Sequence, residues 1–329
     1  MTVNVLSTME FGPDWLAALA GGDERVEILE IPAERADELP DDVLREVEVM
    51  YTNLAFPTSE QAPRLRWVQL DTSGADHVRG TPVWENGAVT ITSIAGVSPQ
   101  PMAEYVMAMV LGFVHRLPNA ARMRGRRHWP THRERWRLYR PLPVTGSRMT
   151  IVGYGRIGHG IARSARAFDI EVVGVSRTGG RTAYGDEVDG VEVVGVGHLE
   201  EALSNADWVI VCVPGTPETM GLIGATQFAA MKDGAHLVNV SRGGVVGEQA
   251  LLEALDSGRL TGAALDVFES EPLPGDSPLW EDRRIILTQH ISGLACDYQE
   301  RVRRLFEENL ARYLAGEPLV NVIDRRLGY

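Results

Sequence analysis

Two spacings of apolar residues alternate along the chain, one of period two and one near 3.6. Over the first hundred residues, short β-type runs (Val3–Leu6, Val26–Ile31, Trp67–Leu70, Val89–Thr92) are separated by helical stretches such as Asp14–Ala20 and Asp41–Val47. Ser98-Pro99 then supplies an N-cap and a first-turn proline to a helix from Pro101 to about His115. That helix is too apolar to face solvent, and it is expected to cross between domains. From Met149 the alternation resumes with strand Met149–Val152, helix Ile157–Phe168, strands Val172–Ser176 and Trp208–Val213, helix Ala225–Met231 and strand His236–Ser241. Helix Glu248–Leu255, strands Ala263–Val267 and Arg284–Thr288, and a closing helix near Tyr298–Leu314 complete it. Such alternation predicts an α/β protein with parallel, doubly wound sheets.

Composition narrows the function classes. The 329 residues, 44% of them apolar, can fill two ordinary cores, and a net charge of -13 repels polyphosphate and anionic lipid. Nucleic acid and membrane are therefore not expected partners. No apolar run approaches the roughly 18 residues of a membrane span, and Met1–Leu6 lacks a basic leader, so a cytoplasmic enzyme is expected. Cys212 and Cys296 are too few for a disulfide framework and read as reduced core or near-core thiols. Pro130 between His128 and His132 spoils a helical metal-ligand pair, so that stretch reads as surface loop and no metal is expected. Lys232, the only lysine, lies in no phosphate loop, and neither H-E-x-x-H nor G-x-S-x-G occurs.

One turn carries a specific chemistry. Strand Met149–Val152 runs directly into Gly153-Tyr154-Gly155-Arg156-Ile157-Gly158, and a helix with apolar positions at Ile157, Ile161, Ala165 and Phe168 runs out. In a dinucleotide site the first glycine permits the tight turn, the second admits the pyrophosphate and the third lets helix and strand pack closely. At the end of the next strand, where a carboxylate would serve the ribose hydroxyls of NAD, the chain has Ser176-Arg177. A guanidinium there suits a 2′-phosphate, so NADP(H) is expected in preference to NAD(H).

Ligands of an open parallel sheet bind beyond the carboxyl ends of its strands. Three polar residues follow such ends: Arg242, Glu271 and His290. Singly they read as an ion pair, a loop acid and a buried imidazole. Together, the arginine can hold a carboxylate and polarise a keto oxygen, the histidine can carry the proton and the glutamate can keep the histidine charged.

Several motifs resemble those of the D-isomer-specific 2-hydroxyacid dehydrogenases, over most of the chain. Val213-Pro214-Gly215-Thr216-Pro217-Glu218-Thr219 with Gly221-Leu222-Ile223 is similar to the family's loop after the fourth nucleotide-domain strand. Asn239-Val240-Ser241-Arg242-Gly243 resembles its arginine motif, Ala264–Phe268 leading to Glu271-Pro272-Leu273-Pro274 its glutamate motif, and His290-Ile291-Ser292-Gly293 its histidine motif. The resemblance implies two domains of parallel sheet with an active-site cleft between them: residues 1–98 with 292–329 for substrate, and 99–291, of Rossmann type, for the dinucleotide. It implies that Arg242 orients substrate, that His290, paired with Glu271, is acid and base, and that Asp266 helps hold the nicotinamide carboxamide. It adds Val213, Pro214, Thr219, Val240 and Gly293 to the cofactor contacts, and gives Ser73-Gly74-Ala75 the substrate carboxylate. D-stereochemistry rests on the resemblance too.

Ser176-Arg177 and the stretch Trp67–Asp76 are most similar to the glyoxylate/hydroxypyruvate reductase branch. Two further departures, Gly215 in place of an apolar residue and Leu294-Ala295-Cys296 without the usual hydroxyl, bear on fine specificity. The arginines from Arg122 to Arg140, interleaved with Trp129 and Trp136, fall where the family has a dimer arm, so a homodimer through residues 100–140 is expected. The competing reading is an NAD(H)-sensing, corepressor-like binding protein on the same scaffold. A formate dehydrogenase relative is disfavoured because it would need glutamine where Glu271 stands.

Overall fold

The chain is described here by a computed structural model covering residues 2–11, 15, 19, 23–180 and 190–329. It divides into two compact units, Met1–Val97 with Cys296–Tyr329, and Ser98–Ala295. The helix expected over 14–20 falls outside the described residues except for Trp15 and Leu19.

Among the described residues, the first unit is built on a parallel sheet of β1 (Val3–Ser7), β2 (Val26–Glu30), β3 (Val49–Thr52), β4 (Trp67–Leu70) and β5 (Thr90–Thr92), in the order β2-β1-β3-β4-β5. Strand β3 escapes a periodicity reading because all four of its residues are buried, so it shows no alternation and little length. One face of the sheet is covered by the closing helix, Tyr298–Ala315, whose Val302, Phe306 and Leu310 pack with Val3, Val5, Tyr51 and Trp67. Buried Asn309 ties that helix down, giving its amide to Gln69 Oε1 and to the carbonyl of Val320 at 3.2 Å each.

The second unit holds β6 (Arg148–Val152), β7 (Glu171–Ser176), β8 (Glu192–Gly195), β9 (Trp208–Val211), β10 (Ala235–Asn239), β11 (Leu260–Leu265) and β12 (Ile285–Leu287). All pairs are parallel, in the order β12-β11-β10-β9-β6-β7-β8. Strands β9 and β10 are buried throughout, as a sheet covered on both faces requires. The order reverses between β6 and β9, which is the switch point where such sheets bind ligands. Helix Pro99–Val114 belongs to this unit and packs on helix Arg156–Arg166 through a core including Ala103, Val106, Ile161 and Ala165. Ser98 sits at its N-cap without a side-chain cap bond.

Strands β9, β10 and β11 stop two residues short of the expected ends, because loop groups take over the pairing; Asn239 Oδ1, for example, accepts from the Ser241 N–H at 3.1 Å. Helix Arg156–Arg166 ends before Phe168, which turns outward and is exposed. Cys296 is exposed rather than near-core. His132 opens a helix, His132–Tyr139, capped by Thr131, while His128 lies before it in a loop.

Burial also creates a pH liability at His236, at the amino end of β10. Its ring lies against Trp208 and Phe113 at centroid distances of 4.7 and 5.1 Å, and burial, aided by Arg116, holds its pKa down to about 4. The unfolded residue titrates near 6.5, so between those values the unfolded chain binds the extra proton. The stability that neutral His236 contributes is therefore full above pH 6.5 and falls by up to about 3 kcal/mol as pH drops toward 4. Melting temperatures across that range should fall less steeply for His236→Phe than for the parent.

Candidate functional site

The glycine turn lies at the switch point and is shaped by contacts its glycines alone permit. Gly153 has φ +109°, and a Cβ there would stand 2.7 Å from the carbonyl carbon of Cys212, at the end of β9. A Cβ at Gly158 would stand 2.4 Å from the Gly153 carbonyl oxygen, so the helix can start tight against the turn. At Gly155, by contrast, a Cβ would meet no protein atom within 4 Å. The turn is closed on its neighbours at the first and third glycines and open at the second, which fits a pyrophosphate at the N-terminus of helix Arg156–Arg166. Half-buried Cys212, its thiol pushed up to about 12 by desolvation, donates to the Gly153 carbonyl at 3.1 Å, a brace that no motif marks.

The difference among the glycines is measurable. Gly158→Ala is expected to cost both stability, by about 1–3 kcal/mol of overpacking, and dinucleotide affinity. Gly155→Ala should lower affinity while leaving the melting temperature unchanged. Thermal melts and NADPH titration of both variants check the pair.

Strand β7 ends at Ser176, and Arg177 opens the loop after it. Ser176 Oγ accepts from the Gly179 N–H at 3.0 Å, closing a turn in which Gly179 and Gly180 have left-handed φ and Arg177 is exposed. No carboxylate occurs from Ser176 to Gly180.

The loop Val213–Thr219 is held by its own threonine: Thr219 Oγ1 accepts from the Thr216 N–H at 2.8 Å and donates to the Pro214 carbonyl at 2.6 Å. A Cβ on Gly215 would lie 3.0 Å from Arg242 Cγ, so the glycine leaves room for the arginine. Val240 buries its side chain in the core and can offer a ligand only backbone.

Strands β10, β11 and β12 are adjacent, with Asn239 paired to Leu265 and Leu265 to Leu287, so the loops beyond them leave one edge side by side. The first carries Arg242, whose Nη1 donates to the Ser241 carbonyl at 3.1 Å. The second carries Asp266 and Glu271, the third His290. His290 Nδ1 lies 2.8 Å from Glu271 Oε2, and Glu271 Oε1 accepts from the Phe268 N–H at 3.0 Å. The glutamate is thereby fixed at one oxygen and orients the imidazole with the other. With Nδ1 occupied, Nε2 is the ring atom left for proton exchange. The pair is partly open, with side-chain exposures of 47% for His290 and 36% for Glu271, so the buried-imidazole reading of His290 does not hold.

His290 has φ +54°, a conformation a non-glycine residue keeps only when its surroundings impose it. Asp266 imposes it. Its carbonyl accepts the His290 N–H at 2.9 Å, and its fully buried carboxylate accepts the N–H groups of Ile291 and Ser292 at 2.8 Å each and the Thr288 hydroxyl at 2.6 Å. Thr288 is bonded in turn to the Tyr105 hydroxyl at 2.5 Å. Neither Thr288 nor Tyr105 belongs to a motif, and only the folded chain brings them together. Gly293 follows this clamp, beside Ser98.

In the first unit, Ser73-Gly74-Ala75 follows β4 at the carboxyl edge of its sheet, with the Thr72 hydroxyl donating to the Gly74 carbonyl at 2.8 Å. Ser73 is exposed and Ala75 buried. The described residues contain no cluster of His, Cys, Asp and Glu fit to hold a metal, and no described helix is long and apolar enough to cross a membrane.

Comparison with known proteins adds chemistry to this geometry. Residues 107–292 match the family described as D-isomer specific 2-hydroxyacid dehydrogenase, NAD binding domain. The chain is 33% identical over 270 residues to a glyoxylate reductase of Korarchaeum cryptofilum, covering 82% of this chain and 79% of that one. It also resembles a solved NADPH-dependent glyoxylate/hydroxypyruvate reductase from Sinorhizobium meliloti in complex with NADP and sulfate. There the TM-score is 0.82 and the identity 26%, over the whole of both chains. A D-isomer specific 2-hydroxyacid dehydrogenase from Xanthobacter autotrophicus, solved with NADPH and MES, gives TM-score 0.82 and 29% identity over 100% of this chain and 99% of that one.

Proposed function

The chain belongs to the D-isomer specific 2-hydroxyacid dehydrogenases, NAD(P)-dependent oxidoreductases, and we propose that it reduces a small 2-keto acid of the glyoxylate or hydroxypyruvate kind to the corresponding 2-hydroxy acid, the D isomer where the product is chiral, using NADPH. The observation that carries this reading is the 2.8 Å bond between Glu271 and His290 on the strand edge that also bears Arg242. The substrate class follows the names of the relatives, and the cofactor choice follows Ser176-Arg177 together with the NADP and NADPH complexes of the neighbours.

The residues fit the dinucleotide. Gly153, Gly155, Arg156, Ile157 and Gly158 would receive the pyrophosphate, Ser176 and Arg177 the ribose 2′-phosphate, and Val213, Pro214, Thr219 and the Val240 backbone would flank the remainder. When bound, the reduced nicotinamide supplies the hydride that adds to the keto carbon. Arg242, permanently charged, holds the substrate carboxylate and draws electron density toward the keto oxygen. As the carbon gains its hydride, His290 passes the Nε2 proton to the oxygen, leaving an alcohol and a neutral imidazole that Glu271 keeps aligned. Oxidation of the alcohol runs the same steps backward. Ser73-Gly74-Ala75 offers backbone donors of the sort that grip a carboxylate.

A homodimer through residues 100–140 belongs to the same reading. Helices Leu117–Gly125 and His132–Tyr139 have no buried residue, and Trp129 and Trp136 are 84% and 65% exposed.

Turnover of a panel of 2-keto acids with NADPH and NADH tests the proposal. Steady NADPH oxidation with the smallest acids is expected. Tight NADH binding with no turnover would select the corepressor-like alternative instead.

A further inference from the structure

Asp266 makes four hydrogen bonds to the five-residue segment Thr288–Ser292, and one of them, from the Thr288 hydroxyl, depends on a side chain that helix Pro99–Val114 reaches. The direction of that chain is fixed by donor count. A carboxylate only accepts, so Thr288 spends its one proton on Asp266 Oδ1. The short contact between Tyr105 and Thr288 must then be donated by the tyrosine. Burial raises the Tyr105 pKa to about 12, which keeps that proton on the phenol.

The sequence Tyr105 to Thr288 to Asp266 thus orders three groups that end on the amides of Ile291 and Ser292, directly after His290. Without the threonine hydroxyl, Asp266 Oδ1 would lose one of its two donors, and the threonine rotamer would no longer be set from the helix. The left-handed backbone at His290 is the part with most to lose, since it relaxes unless it is held.

We infer that Tyr105 and Thr288 are positioning residues for His290, acting through Asp266 to hold the imidazole where it meets Glu271 and substrate. The inference rests on the assignment of His290 as acid and base.

The test compares Thr288→Val, Thr288→Ser, Tyr105→Phe and the double variant Tyr105→Phe/Thr288→Val in the whole protein, with His290→Ala as reference. Thr288→Val should lower kcat about tenfold or more with NADPH affinity within about twofold of the parent. Thr288→Ser, which keeps the hydroxyl, should restore activity to within about twofold. Tyr105→Phe should lie between them, and the double variant should be no worse than Thr288→Val, because both act on one chain. In the ligand-free protein, the His290 imidazole resonances, assigned by their loss in His290→Ala, should shift in Thr288→Val and stay put in Thr288→Ser.

Unchanged kcat and resonances in Thr288→Val, an equal loss in Thr288→Ser, or fully additive losses in the double variant would each overturn the inference. Should Thr288→Val not fold, Tyr105→Phe and Thr288→Ser decide by the same readings. Undiminished turnover in His290→Ala would instead overturn the acid–base assignment, so the two failures are distinguishable.

Discussion

His290→Ala is expected to lose about 10²- to 10⁴-fold in kcat for 2-keto acid reduction while binding NADPH nearly as tightly as the parent. The separation follows from the geometry. The glycine turn and the Ser176–Gly180 loop leave the other side of the switch point, whereas His290 follows β12, at the far edge of the sheet. Removing the imidazole takes away the proton donor but leaves the dinucleotide contacts in place. It also leaves Glu271 without the group it orients, still bonded to the Phe268 N–H. Single-turnover reduction monitored by NADPH absorbance, together with a separate NADPH titration, reads the two quantities independently. A variant with undiminished turnover would mean that the proton comes from elsewhere and that the bond between Glu271 and His290 serves only structure.

The architecture was legible because its signals are local and redundant. Each long strand of the second unit reads as an apolar run, and the glycine turn lies between a strand and a helix whose periods differ. Legibility failed for β3 and β8, which are four residues each: β3 is buried on all sides, and β8, Glu-Val-Val-Gly with no fully buried residue, shows neither an alternation nor a long apolar run. The sequence pattern runs two residues past the ends of β9, β10 and β11 because Val213, Val240 and Val267 continue it after the pairing has passed to loop groups such as Asn239.

At the site, sequence could show that Arg242, Glu271 and His290 each follow a strand, since that needs only order along the chain. It could not show the left-handed backbone of His290, the thiol brace from Cys212 or the path from Tyr105 to Asp266. Those are contacts between residues far apart in sequence, up to 183 positions for Tyr105 and Thr288, and none has a spacing that marks it. Asp266 is the instructive case. The resemblance assigns it to the nicotinamide, yet its carboxylate is fully buried and engaged by three donors of the histidine loop. Positioning is the role its surroundings favour.

Changing Ser176→Asp together with Arg177→Ala is expected to move the NADPH to NADH preference toward NADH by roughly 10²- to 10³-fold. Loss of a charge-assisted contact to the 2′-phosphate is worth about 1.5–3 kcal/mol, or about 10- to 150-fold, and a new carboxylate both repels that phosphate and accepts from the ribose hydroxyls. The turn should survive the exchange. Ser176 Oγ now accepts from the Gly179 N–H at 3.0 Å, and an aspartate oxygen can accept the same bond in the same kind of turn. Any change should therefore appear in cofactor discrimination, with melting temperature little altered. Measuring kcat/KM for both cofactors at one ionic strength gives the ratio directly, and added salt should weaken NADPH more than NADH in the parent because the arginine contact is exposed. If the parent already favours NADH, Arg177 is a solvent-facing turn residue and the cofactor argument fails. If the parent favours NADPH and the double variant keeps that preference, the 2′-phosphate is held by residues other than Ser176 and Arg177.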